Sequence, residues 1–167
     1  MNVNSTTTDP VKGFLASVAE ARIEERRLRL RVKRLETQAT KLTASLTGMP
    51  RGNGDSGNLL ASLADMRIAS ERAIVEAEKT EERVAAFIEK LSNPTSRIIL
   101  KLRYCDCLDW TDRPHQRSVT SELRKAGLYY SDRHLYRLHG IALNEARELY
   151  YKENGNGRAM EEDSGVQ

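Results

Sequence analysis

Residues 129–140 read YYSDRHLYRLHG, and this stretch decides how the C-terminal part of the chain is interpreted. It holds three of the six tyrosines and two of the three histidines. His134 and His139 are five residues apart, which is about 140° around a helix axis, so they do not share one metal ion. Ser131 precedes an apolar stripe with helical spacing, as an N-cap serine does. The stretch therefore predicts a turn followed by the first two turns of a helix.

The preceding segment, RSVTSELRKAG at 117–127, predicts a short helix with Val119 and Leu123 inward and Gly127 at its C-terminal end. A short helix, a glycine-containing turn and a capped second helix make a helix-turn-helix. The polar side chains left outward on this motif are the candidate DNA-binding residues: Arg117, Arg124, Lys125, Ser131, Asp132, Arg133, His134, Tyr136 and Arg137.

The chemistry of these side chains fits nucleic acid. Arginine bonds guanine bidentately in the major groove, while serine, tyrosine and helix N-terminal N–H groups hold phosphates. Two simpler interpretations stay open: Arg133 and Arg137 are solvated charges of an amphipathic helix, and Tyr129 and Tyr130 plug the turn rather than contact phosphate.

The segment AGLYYSDRHLYRLHGIALNEAREL resembles the fourth region of bacterial sigma factors, whose last helix begins with Ser or Thr. More closely, residues 90–150 are similar to a family of phage and prophage late-gene transcriptional regulators. The matching residues are Arg97, Leu100, Arg103, Tyr104, Trp110, Tyr130, Ser131, Arg137, Leu138, His139, Ala142 and Leu143. The resemblance implies a DNA-binding regulator of transcription that acts on double-stranded DNA, with RNA polymerase as a possible partner.

Residues 11–92 predict two long helices, each with apolar positions that alternate at spacings of four and three. The first seam is Phe14, Val18, Ala21, Glu25, Leu28, Val32, Leu35, Ala39, Leu42 and Leu46; the second is Leu59, Leu63, Met66, Ser70, Ala73, Ala77, Thr80, Val84, Phe87 and Leu91. A Gly/Pro-rich loop at 47–58 separates them, which favours an antiparallel coiled-coil hairpin. Pairing of each helix with a second chain is the alternative. Ile74 and Ile88 form a remaining apolar edge that favours a homodimer or oligomer.

A new helix is predicted at Asn93 and Pro94, as N-cap and first helical residue, with Ile98 and Ile99 on its apolar face. Residues 93–152 then form the helix-turn-helix domain. Its sole tryptophan, Trp110, is interpreted as a core residue, and Tyr104 and His139 as packing residues. Residues 1–10 are predicted to be disordered, and the acidic segment 153–167 to be a flexible tail.

Charge is unevenly distributed. Residues 94–152 carry eleven basic and seven acidic residues, a net charge of +4, which favours a polyanionic partner. Seven Arg/Lys residues lie between Arg22 and Arg34 on the first long helix. A solvated coiled-coil flank is the default interpretation of this run, with a phosphate-binding or partner surface as the alternative.

Several function classes are disfavoured by the sequence. No run approaches eighteen apolar residues and the N-terminus lacks a signal peptide, so we expect a cytoplasmic protein of a bacterial host cell without a membrane partner. Cys105 and Cys107 are too close for a disulfide or a zinc pair, and with His115 they lack a fourth ligand. There is no Walker-type phosphate loop, and Ser131 with His134 lacks an orienting group and an oxyanion site. We therefore expect no enzyme, cofactor or metal site.

Together these features predict an all-α protein with a coiled-coil hairpin followed by a sigma-region-four-like helix-turn-helix. The favoured function is sequence-specific DNA binding in transcription regulation, with the coiled coil used for dimerisation or recruitment. The alternative is a helical adaptor or assembly protein, either small-terminase-like or associated with RNA polymerase, whose helix-turn-helix contacts protein.

Overall fold

The computed structural model describes residues 9–45, 55–111 and 116–161, and the side chains of 9–41, 57–111 and 116–155. Within these residues the chain is mostly helical and forms no strand, so the all-α class is confirmed for the described part. The described residues form five α-helices, α1 (Pro10–Ser45), α2 (Asp55–Glu89), α3 (Pro94–Leu100), α4 (Val119–Lys125) and α5 (Asp132–Glu161), and a π-helical turn, Lys101–Cys105, continues α3.

The chain divides into two compact units. Unit 1 combines Met1–Val18 with Glu81–Gln167, and unit 2 is Ala19–Thr80. The first turns of α1 and the last turns of α2 contribute to the apolar core of unit 1.

In unit 2 the seam positions are the less exposed ones on both helices. On α2, Leu63, Ser70, Ala77 and Thr80 are buried, and the seam residues of α1 from position 21 to 39 are half-buried. The Arg67 guanidinium of α2 donates to the Glu36 carboxylate of α1 at 2.7 Å. Small buried side chains let two helix backbones approach closely, as the seam composition predicts.

The segment predicted as a loop, 47–58, is helical at its end. Helix α2 already begins at Asp55, so its first turn contains Gly57 and Asn58. The predicted loop was too long here because glycine and asparagine lower helix propensity by less than about 1 kcal/mol each, which the rest of a long helix readily outweighs. Residues 46–54 lie outside the described residues, as do the side chains of Leu42 and Leu46.

Unit 1 has a core of large side chains. Val11, Leu15 and Val18 of α1 lie in one buried cluster with residues from the end of α2 and just after it, from α3, from the π-helical turn and from α5. The other members are Val84, Phe87, Ile88, Leu91, Leu100, Cys105, Ala142, Leu143 and Ala146. The rings of Phe14 and Phe87 meet edge to face with centroids 5.2 Å apart. Ile88 is fully buried. Its prediction as part of an exposed edge was therefore wrong, because elements distant in sequence cover it.

Helix α3 begins as predicted. The Asn93 side chain accepts a hydrogen bond from the Thr95 N–H at 2.9 Å, and Pro94 occupies the first turn. Ile99 and Leu100 are buried, whereas Ile98, predicted to face inward, is 40% exposed. The seven-residue helix passes into the π-helical turn, in which the Asp106 N–H reaches back five residues to the Lys101 carbonyl at 2.9 Å.

Helix α5 continues to Glu161 and so extends beyond Glu153, where the flexible tail was predicted to begin. Lys90 donates to the Glu153 carboxylate at 2.7 Å, which holds this part of the helix against the end of α2. Near the other end of the chain, the Arg147 guanidinium donates to the Asp9 carboxylate at 2.6 and 2.9 Å. This bond lowers the pKa of Asp9.

Candidate nucleic-acid interface

Helix α4 is fixed at its start by reciprocal serine bonds. Ser118 accepts from the Ser121 N–H at 3.0 Å, and Ser121 accepts from the Ser118 N–H at 2.9 Å. This is a capping box in which serine replaces the usual Glu or Gln. Val119 and Leu123 are buried, as predicted, in a second cluster of unit 1 with Ile99 and Leu135.

The connection to α5 is a glycine-terminated turn. Gly127 has φ 79°, a left-handed conformation that favours glycine. Its N–H bonds the Arg124 carbonyl at 3.0 Å, and the Leu128 N–H bonds the Leu123 carbonyl at 2.9 Å. These two bonds form a Schellman motif, so the prediction of Gly127 at the end of this helix is confirmed.

The N-terminus of α5 points to solvent. Ser131 accepts a 3.4 Å hydrogen bond from the His134 N–H, and α5 begins at the next residue, as predicted. Asp132, Arg133 and Arg137 are exposed. Leu135 is buried beneath them. The stretch that opens the motif therefore has one apolar side held in the core and one polar side in water.

Arg133 and Arg137 differ from most other described arginines of unit 1. Four of those pair with carboxylates: Arg97 with Glu89, Arg103 with Asp109, Arg117 with Glu122 and Arg147 with Asp9. Arg133 and Arg137 have no carboxylate partner among the described side chains. The neighbour of Arg137 is the His134 ring nitrogen at 3.3 Å. The positive charges of these two arginines, near the start of α5, are therefore not offset by a described carboxylate.

Two of the predicted DNA-binding residues on the α4 side have their positive charge partly offset by a carboxylate. Glu122 accepts from Arg117 at 3.1 Å and from Lys125 at 2.8 Å. These two bonds lower the pKa of Glu122 to about 2, so the carboxylate is ionised at any physiological pH. Arg117, Arg124 and Lys125 are all exposed, and Arg117 and Lys125 share the Glu122 carboxylate.

An aromatic cluster supports the first turns of α5. The Trp110 ring lies 4.7 Å from His139 and 5.4 Å from Tyr136, and the Arg103 guanidinium lies over it at 5.4 Å. His139 also contacts the Tyr104 hydroxyl at 3.3 Å. Burial, with the positive charges of Arg103 and Lys12, lowers the pKa of His139 to about 4, so the ring is neutral. Tyr104 and His139 thus pack together, the role favoured for both.

Sequence reasoning missed one consequence of this cluster. Tyr136 is 52% exposed, but its ring contacts the Trp110 ring at a tilt of 55°, so its position depends on a residue 26 positions earlier. No local pattern carries this contact. Of the tyrosine pair, Tyr130 stacks on His134 at 5.3 Å, whereas Tyr129 is 78% exposed. The plug interpretation therefore fits Tyr130 alone.

The cysteines do not form a metal site in the described part of the chain. Cys105 is buried, Cys107 is exposed with φ 55°, and His115 lies outside the described residues. No group of three His, Cys, Asp or Glu side chains among the described residues is placed to hold a metal ion. In the same residues, no helix combines the length and hydropathy needed to cross a membrane.

Comparison with known proteins gives no family for this chain. No family model matches it, and neither a curated protein nor a solved structure shows significant similarity to it. The interpretation of the site therefore depends on its own geometry.

Proposed function

We propose that this protein is a phage-type, sequence-specific DNA-binding regulator of transcription that uses α4, the turn at Gly127 and α5 as a helix-turn-helix. The observation that carries the proposal is the pair of exposed arginines at the start of α5, Arg133 and Arg137, which have no carboxylate partner among the described side chains. Most other described arginines of unit 1 form ion pairs with carboxylates. Arg133 and Arg137 do not, so they give this surface a positive charge that favours a negatively charged partner.

The proposed docking follows from the direction of α5. In a helix-turn-helix the N-terminal residues of the second helix contact base edges in the major groove. Arg133 and Arg137 are four residues apart and lie on one side of α5, where bidentate bonding to guanine is available to them. Ser131 and the free N–H groups of the first turn would hold a phosphate at the positive helix end. Arg117, Arg124 and Lys125 would contact the flanking backbone, Arg117 and Lys125 less strongly because Glu122 offsets part of their charge.

The long helices have a separate role in this proposal. Residue 36 of α1 contacts residue 67 of α2, and residue 14 contacts residue 87, which is the order expected for an antiparallel hairpin. With seams at alternating spacings of three and four, the two helices fit a coiled-coil hairpin used for dimerisation or for recruitment of a partner such as RNA polymerase.

The test is DNA binding by fluorescence anisotropy, first with fragments upstream of the neighbouring genes and then with random DNA, across a salt series. We expect specific binding tighter than random binding by about three decades, with a steep salt dependence. Arg133→Ala and Arg137→Ala should each weaken specific binding by about ten- to a hundredfold, the size of one lost bidentate base contact. Lys152→Ala is the matched control, since this exposed cation lies about five turns further along α5.

Two results would reject the proposal. One is binding that does not distinguish any upstream fragment from random DNA. The other is equal weakening by Arg133→Ala and Lys152→Ala, which would show a general charge effect rather than base contacts. Far-ultraviolet circular dichroism of each variant separates lost contacts from lost fold.

A second candidate function is a helical adaptor, small-terminase-like or associated with RNA polymerase. It is favoured by two exposed aromatic side chains beside the arginines, Tyr129 at 78% and Tyr136 at 52% exposure. Aromatic and arginine side chains together are typical of protein–protein contacts. In this case Tyr129→Ala should abolish binding of the protein partner. Wild type and the arginine variants alike should then show no specific DNA binding.

A further inference from the structure

Unit 2 carries two outward faces with the same spacing and opposite charge. On α1, Ile23, Arg26, Leu30 and Lys33 follow one another at intervals of three, four and three; we call this the α1 face. On α2, Ile68, Glu71, Val75 and Glu78 follow at the same intervals and form the α2 face. Both faces therefore alternate aliphatic and charged residues in the same order, with basic residues on α1 and acidic residues on α2.

The aliphatic residues of both faces are exposed. Ile23 is 67% and Leu30 is 52% exposed, while Ile68 and Val75 are 48% and 47% exposed. These positions lie opposite the seams, where polar residues are the rule in a two-helix arrangement. Aliphatic residues repeated at an interval of seven on an outer face are typical of contact with another helix.

The charged residues of the two faces are also unpaired within the part of the chain that the structure describes. Arg26, Lys33, Glu71 and Glu78 are exposed, and none of them has an ion-pair partner among the described side chains. By contrast, Glu36 and Arg67 of the same two helices bond each other. The local helix geometry therefore does not neutralise the four charges of the faces.

The α1 face and the α2 face both point away from the seams of their own helices. At 100° per residue, the α1 face lies about 150° around the helix from the α1 seam, and the α2 face is related to its own seam in the same way. Since the seams are the less exposed positions of each helix, both faces are directed to solvent. Neither face is covered by the residues that the structure describes, which favours a partner from another molecule.

The charge pattern identifies that partner as a second copy of this chain. We infer that the α1 face of one copy packs on the α2 face of another, with Arg26 and Lys33 opposite Glu71 and Glu78 and the aliphatic pairs between them. Two α1 faces would repel each other at these positions, and so would two α2 faces. This assembly surface differs from the seams and does not rest on the proposed DNA binding.

The other edge of each face does not favour pairing. One residue further along, α1 carries Arg27 and Arg34 and α2 carries Arg72 and Lys79, so this edge has the same sign on both helices. The contact is therefore expected on the Arg26 and Glu71 edges. An interface of two helix faces is small, so association should be weak and visible at concentrations on the order of 100 µM.

Sedimentation velocity from about 5 to 500 µM, without nucleic acid, tests the inference. Wild type should rise in mass above the monomer as its concentration increases. A first variant, Arg26→Glu with Lys33→Glu, and a second, Glu71→Lys with Glu78→Lys, should each stay monomeric because their two faces then have the same sign. An equimolar mixture of the two variants should associate again, since each supplies the sign that the other lacks.

The matched control is Arg72→Glu with Lys79→Glu, which changes as many charges on the neighbouring edge and should retain association. All substituted positions are exposed, so helicity by circular dichroism should be unchanged in every variant. Wild type that stays monomeric up to about 500 µM overturns the inference, as does a mixture of the two variants that does not associate. Association of the first or second variant alone at the wild-type level also overturns it.

Discussion

Unit 1 buries phenylalanine, leucine, isoleucine and valine from several helices in one cluster, whereas the buried seam positions of unit 2 on α2 are Leu63, Ser70, Ala77 and Thr80. In unit 2, larger aliphatic residues such as Ile23 and Ile68 are on the outside. A buried large side chain contributes about 1.5–3 kcal/mol by transfer from water, and a buried alanine or serine much less. The difference indicates that most of the folding free energy resides in unit 1.

The long helices α1 and α2 also pack differently in the two units. In unit 1, α1 and α2 supply core residues to which α5 adds its own stripe of Ala142 and Ala146. In unit 2 they supply one seam and leave the opposite surface to solvent. A region that is thin in apolar contacts has its stability set by helix propensity, by its seam and by any partner it binds.

The largest expected effect on stability comes from replacing an isoleucine by alanine, compared between unit 1 and unit 2. Ile88→Ala, at a fully buried position of unit 1, should lower the free energy of unfolding by about 2–5 kcal/mol, because it leaves a cavity that the packed cluster does not fill. Ile68→Ala, on the same helix in unit 2 and 48% exposed, should change it by less than about 0.5 kcal/mol.

Urea unfolding of both isoleucine variants, followed by circular dichroism below the concentration at which copies associate, measures the difference. Equal losses would show that the two units share one distributed core, and the comparison between them would fail.

A smaller effect concerns the polar contacts inside unit 1. Since the pKa of His139 is lowered to about 4 from an ordinary value of 6.5, the unfolded chain takes up a proton between these values and the folded chain does not. Stability should therefore fall as the pH drops from 6.5 towards 4, by on the order of 1–2 kcal/mol, because the ring is only half-buried and solvent screens part of the effect.

Unfolding free energies at pH 7 and pH 5 test this dependence. His139→Gln should lose less stability between the two values than wild type does. An unchanged dependence in His139→Gln would assign the pH sensitivity to other groups.

The sequence predicted features that depend on neighbours within one helix or turn. The Asn93 cap, the end of α4 at Gly127 and the inward side of α5 at Leu135 all follow from spacing and cap chemistry. Features that depend on distant contacts were not predictable. Ile88 is buried by elements far from it in sequence, and the Trp110 ring supports Tyr136 across 26 residues.

For the candidate site, the sequence supplied the residues but not their electrostatic state. The nine residues were selected by type and by expected exposure, and spacing alone treats Arg117 and Arg133 alike. Only the three-dimensional arrangement shows that Arg117 shares Glu122 with Lys125 and that Arg133 has no carboxylate partner among the described side chains. Ion pairs at varied separations follow side-chain rotamers, which a linear pattern does not determine.

The smallest expected effect compares two glycines that differ in backbone conformation rather than in packing. Beyond the adjacent residues and the local helix backbone, a Cβ atom added at Gly127 or at Gly140 meets no atom within 4 Å among the described residues, so neither position is closed to alanine by contact. Gly127 has φ 79°, where alanine is strained, so Gly127→Ala should lower stability by about 1 kcal/mol. Gly140 is inside α5, where alanine has the higher helix propensity, so Gly140→Ala should raise stability by about 0.5–1 kcal/mol. Thermal unfolding of both variants should therefore shift in opposite directions. A gain in stability for both would mean that the turn of the helix-turn-helix is not held in the left-handed conformation, and that the two motif helices are joined in another way; a loss for both would mean that helix propensity does not decide the effect at Gly140.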